Sequence, residues 1–181
     1  MKNAHPVLLI NLCKKHNIKY NYLLDYVNNR ENKLNELMAQ YKITRGVAKT
    51  WFLSCLNDVN LKTKIGKIKI KKQKSFFTDY DKELNEIILK LFDIYKLDES
   101  FKKYIITPSA NEYQNTEGKL VNLVLCKTEN EYLMKSINQL IENNYLKEQD
   151  IAVGMYDGFM IYETKKNKEI IKFLNKIFRS E

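Results

Sequence analysis

Apolar residues recur at helical spacing along most of this chain, and the gaps between the periodic stretches are polar. Residues 6–15 read as a short helix with Pro6 in its first turn, where a missing N–H does no harm. Over 21–41, Leu23, Leu24, Val27, Leu34, Leu37, Met38 and Tyr41 keep a roughly helical period, as one helix or two. The run Asn28-Asn29-Arg30-Glu31-Asn32 is a polar interruption expected to bend or solvate the middle. Thr44 is placed to N-cap a helix from Arg45 to about Asn57, with Val47, Ala48, Trp51, Phe52 and Cys55 able to line one face. An amphipathic helix from Phe76 to about Tyr95 follows, built on Phe77, Tyr80, Leu84, Ile87, Ile88, Leu91 and Ile94, then a shorter one from Asp98 to Tyr104. Thr107-Pro108-Ser109-Ala110-Asn111 is the strongest break. Beyond it the pattern predicts a long helix from about Leu120 to Asn143 and a closing amphipathic helix from Asn167 to Phe178.

Two stretches change period. Lys67-Ile68-Lys69-Ile70-Lys71 alternates by two, which suits an edge strand or an extended arm. From Ile151 to Glu163, apolar and β-prone runs flank Asp157-Gly158. Such a pair between two runs is a strong hairpin signal, because a tight turn needs residues that tolerate positive φ. The expected class is therefore α/β (α+β), mostly helical, with a small antiparallel sheet centred on 151–163.

Composition narrows the picture. The 181 residues suffice for one domain with a real core or for two small lobes, and 44% hydrophobic content marks a folded chain. The 31 basic residues outnumber 22 acidic ones, giving a net charge of +9 that favours a polyanionic partner, nucleic acid or an acidic membrane surface. Cys13, Cys55 and Cys126 are far apart and lack metal-ligand spacing, so they read as reduced thiols. No apolar run approaches the length of a membrane span, and the N-terminus lacks the layout of a signal peptide. The expectation is a soluble protein of the cytoplasm, or of a nuclear or viral replication site, and not a secreted one.

Three features carry candidate chemistry. Asp157, at the tip of the 151–163 hairpin, is either a plain turn residue or a metal ligand presented to a cleft. Arg45 and Lys49 stand one helical turn apart and repel each other unless neutralised, so they mark either a solvated surface or a bound anion. The charge run Lys62, Lys64, Lys67, Lys69, Lys71, Lys72 and Lys74 is either a lysine-protected edge or an arm along a phosphate backbone. In the second case each phosphate neutralised contributes about 0.9 to the slope of log affinity against log salt.

Read in order, four patches resemble the family A DNA polymerases and their viral and plasmid relatives. Arg45-Gly46-Val47-Ala48-Lys49, followed after a gap of six residues by Leu56-Asn57, is similar to the fingers helix, with Leu56-Asn57 in place of Tyr-Gly. Asn115-Thr116-Glu117-Gly118 is similar to the Asn/Gln-Gly segment that begins a palm helix. Tyr156-Asp157-Gly158 resembles the His-Asp-Glu of the last catalytic motif, keeping only the aspartate. Asn3-Ala4-His5-Pro6 is similar to the segment after the first catalytic aspartate, with His5 in the place of a Glu that polices the sugar.

The resemblance implies a partial palm plus a helical fingers-like lobe. It divides the chain into a palm-like piece at 1–18, a fingers-like lobe at 19–110, and a palm-like helix, hairpin and closing helix at 111–181. It implies that Arg45, Lys49 and His5 face a nucleoside triphosphate, and that Asp157 is catalytic and holds Mg²⁺. The lysine arm and Asn115 would contact DNA or RNA. Two-metal nucleotidyl transfer needs carboxylates bridging two ions. Beside Asp157 only Asp150 and Glu163 stand near, and the family's first aspartate would fall one residue before Met1. The expectation is thus a polymerase that is weak or inactive alone, a degenerate member or a piece completed by a separately encoded upstream segment. A non-catalytic basic nucleic-acid-binding or replication-accessory protein is the alternative, and a structural interaction protein whose lysines only solvate it is a third.

Overall fold

A computed structural model describes residues 4–57, 64–65, 68–69, 75–105, 115–147, 151–155, 158–161 and 167–180. Helix α1 (Ala4–Lys15) carries Pro6 in its first turn and buries Leu8, Leu9, Leu12 and Cys13. Asn17, in the left-handed region at φ 53°, stops it, and the next amide, Ile18 N–H, reaches back to the Cys13 carbonyl at 2.9 Å. The polar patch after Val27 does break its stretch in two, as α2 (Asn21–Asn28) and α3 (Arg30–Tyr41). The break sits at Asn29, whose side-chain amide donates to Asp25 Oδ1 at 2.6 Å, a local bond that competes with helix continuation. Lys42, at φ 54°, ends α3.

Thr44 caps α4 (Arg45–Leu56) as expected, its hydroxyl accepting from Val47 N–H at 3.4 Å. Helix α5 (Phe76–Tyr95) starts from a capping box in which Ser75 and Thr78 satisfy each other's backbone amides. The short α6 (Glu99–Ile105) and long α7 (Thr116–Glu142) follow, and α8 (Asn167–Ser180) closes the chain. At the end of α7, Asn144 takes φ 58°, and Tyr145 N–H returns to the Leu140 carbonyl at 2.9 Å. Asparagine is one of the few residues that enters this conformation cheaply.

The expectation of an α/β fold with a small sheet is overturned. The described residues are overwhelmingly helical, and strands occur only as two separate two-stranded antiparallel hairpins. One pairs β1 (Lys64–Ile65) with β2 (Ile68–Lys69); the other pairs β3 (Ile151–Met155) with β4 (Gly158–Ile161). No described segment extends either hairpin into a sheet. Period-two patterning in this chain is local, whereas Leu, Lys, Glu and Ile at helical spacing fill nearly everything else, so the class is all-α with hairpin appendages.

Contacts divide the chain into two units, Met1–Leu125 and Cys126–Glu181. In the first, α2, α4 and α5 pack around an aromatic cluster, with Tyr26 stacked on Phe52 at 4.5 Å and Phe52 edge-on to Tyr80 at 5.1 Å. Trp51, Tyr26, Tyr80 and Phe52 are all essentially sealed from solvent. Along α5, Leu84, Ile87, Ile88 and Leu91 bury fully, as the helical period requires, but Ile94 near the C-terminal end is 42% exposed. Each fully buried aliphatic chain contributes roughly 1.5–3 kcal/mol by area, an upper bound against a compact unfolded state. In the second unit Leu140, Leu146 and Ile170 form the core, with Tyr145 and Phe173 packed against it 4.9 Å apart. No helix among the described residues is long and apolar enough to cross a membrane.

Candidate phosphate-binding site

The head of α4 is the best-defined part of the site foreseen from sequence. Thr44 sets where the helix starts, which puts Arg45 in its first turn and Lys49 one turn further on. Both side chains are exposed. Glycine 46 lies between them, and a Cβ there would meet nothing within 4 Å, so the surface at this turn is open.

Arg45 has a counter-ion that sequence reasoning overlooked. Its guanidinium grips Glu31 in the first turn of α3, with Nη2 at 2.7 Å from Oε1 and Nε at 3.2 Å from Oε2. The pair holds Arg45 above its ordinary pKa, through the hydrogen bond first and the charge second. Arg30 approaches the same Oε1 at 4.0 Å and donates through Nε to the Tyr26 hydroxyl at 3.4 Å. Among the described residues no carboxylate pairs with Lys49. The only sequence signal for Glu31 was its place in the polar run after Val27, and nothing local ties that run to a residue 14 positions away.

Asn115, expected to touch nucleic acid, makes two hydrogen bonds within the protein. Its Oδ1 accepts from Gly118 N–H at 3.1 Å, capping α7, while its Nδ2 donates to the Asn57 carbonyl at the end of α4. A side chain on Gly118 would collide with that same Asn57 carbonyl oxygen, so glycine is needed for the two helix ends to approach. Thus two of the four patches behind the polymerase resemblance, Arg45–Asn57 and Asn115–Gly118, meet in space.

The other expected residues are distributed differently. His5 is half-buried in the first turn of α1. Lys64 and Lys69 sit opposite each other in the β1–β2 hairpin, and Ile65 opposite Ile68. Lys62, Lys67, Lys71, Lys72 and Lys74 lie outside the described residues, as does Asp157, although Gly158 beside it begins β4. The β3–β4 register pairs Met155 with Gly158. Asp150 and Glu163 also fall outside, and among the described residues no three His, Cys, Asp or Glu side chains gather where a metal could sit.

None of the three cysteines is in a disulfide; Cys13 and Cys55 are buried and Cys126 is exposed. Burial, with Glu83 adding to it, pushes the Cys13 thiol up to about 12, so it is inert as a nucleophile.

No family model matches the chain, and no solved structure matches it. A protein of Sputnik virophage named "Putative helicase V13" is 45% identical over 53 residues, which cover 29% of this chain and 7% of that protein. The similarity is therefore to a small part of a much longer polypeptide.

Proposed function

We propose that the chain is a relative, or a part, of a nucleotidyl-transfer protein of the family A DNA polymerase kind, one that binds nucleic acid and a nucleoside triphosphate with Mg²⁺. The observation that carries this reading is the join between the α4 and α7 patches. Arg45 and Lys49 stand on an open turn of a capped helix, and the far end of that helix is bonded to the second matching patch through Asn115 and Asn57. The cross-strand pair Lys64 and Lys69 adds support, since like charges placed directly opposite destabilise a hairpin unless an anion offsets them. The similarity to a stretch of a virophage protein named for helicase activity fits a nucleic-acid setting.

In this reading Arg45 and Lys49 bind the triphosphate, and Asp157 binds the metal. The β1–β2 lysines contact phosphates. Mg²⁺- and primer-dependent incorporation of deoxynucleotides, with Asp157→Asn as control, tests it. Incorporation lost in that variant is expected; incorporation unaffected by it would reject the assigned role.

A second reading, a basic accessory protein that binds nucleic acid without catalysis, is favoured by the net charge of +9. It predicts salt-sensitive binding that is indifferent to Arg45→Ala and Lys49→Ala together.

A further inference from the structure

We infer that Glu31 is a built-in counter-ion for the triphosphate site, holding Arg45 in place until a polyphosphate displaces it. This deepens the function proposed above and rests on it. The geometry is that of a mimic: two carboxylate oxygens meet Nη2 and Nε of one guanidinium at 2.7 and 3.2 Å, the fork arrangement in which arginine also takes two phosphate oxygens.

The surroundings make the carboxylate a weak holder. The side chains of Arg45 and Glu31 are 54% and 60% exposed, so water and salt compete for both. One carboxylate also faces an excess of positive charge. Arg30 stands 4.0 Å from the same Oε1 and is only 20% exposed, anchored through Tyr26, while Lys49 lies one turn beyond Arg45. A group with several negative charges satisfies these cations better than a single carboxylate does. Glu31 therefore pre-orients Arg45 in the empty protein and lowers its affinity for weak anions, so that a singly charged ligand gains little by entering and a polyphosphate gains most.

The test is the affinity of the full chain for inorganic triphosphate, and separately for a deoxynucleoside triphosphate, by titration calorimetry at low ionic strength. Wild type, Glu31→Gln and Arg45→Ala are compared, with circular dichroism to show that these surface changes leave the fold intact. Glu31→Gln is expected to bind about two- to fivefold more tightly than wild type, the range set by an exposed ion pair that no longer has to be broken, and Arg45→Ala more weakly. The gain should shrink as salt is raised. Binding that weakens in Arg45→Ala yet is unchanged or weakened in Glu31→Gln overturns the inference alone. Absence of triphosphate binding in both wild type and Glu31→Gln, or binding indifferent to Arg45→Ala, overturns the inference and the proposed function together.

Discussion

Replacing Glu83 with alanine should destabilise the first unit by about 2 kcal/mol, an effect out of proportion to a single acidic residue on a long helix. Helix α2 begins after Tyr20, which offers its first turn no side-chain cap. Glu83 on α5 takes that place: its Oε2 accepts from Leu23 N–H, 60 residues earlier, at 2.9 Å, and the neighbouring Asn21 and Tyr22 amides help to lower the carboxyl's pKa. Glu83 is 8% exposed and Leu23 fully buried, so water cannot easily replace the lost acceptor. Losing a cap costs about 0.5–2 kcal/mol, and stranding a buried donor about 1–3, overlapping descriptions of one loss that centre near 2. For a chain of this length that is a fall of roughly 4–8 °C in melting temperature. Urea titration followed by the fluorescence of Trp51, the single tryptophan and itself buried in this unit, reads the change directly. A Glu83→Ala midpoint within about 0.5 kcal/mol of wild type would show that the α2 amides do not depend on this carboxylate.

The same residue sets a pH dependence. Burial raises the Glu83 carboxyl above its ordinary 4.5, outweighing the amides of α2 and the charge of Lys19 that pull the other way. A carboxyl whose pKa is raised by folding contributes fully below its unfolded value and loses that contribution as pH rises through the folded one. Glu83→Gln keeps an acceptor and cannot ionise. Its stability relative to wild type should therefore improve as pH climbs from below 4.5 through the raised value, a trend that paired urea titrations would check.

Other changes follow from single features. Lys42→Gly should stabilise the protein by about 0.5–1 kcal/mol, because lysine pays for a left-handed φ of 54° that glycine adopts freely, and a higher urea midpoint would show it. Tyr80→Phe should be neutral or stabilising by up to about 1 kcal/mol, since its buried hydroxyl has no hydrogen-bond partner among the described residues; a loss of stability would mean that the hydroxyl is satisfied. Gly118→Ala should cost about 1–3 kcal/mol by driving a methyl group into the Asn57 carbonyl, measurable as a lowered thermal midpoint, and a neutral result would mean that the ends of α4 and α7 separate freely.

Local order was legible from the residues themselves. The Thr44 cap, the break after Val27, the amphipathic run from Phe76 and the alternation on either side of 156–157 each depend on neighbours a few positions away, and the helices and the β3–β4 pairing formed close to where those signals stood. Fold class was misjudged because alternation announces a strand without naming its partner. Whether two strands become a sheet depends on a third segment arriving alongside, and among the described residues none does. The site divides in the same way. Arg45 and Lys49 on one helix face follow from the helical period, whereas Glu31 holding Arg45, Glu83 capping α2 and Asn115 bonding Asn57 join residues 14 to 60 positions apart. Such contacts are chosen by how helices pack, a matter of shape and burial over the whole unit, and no short window of sequence contains it.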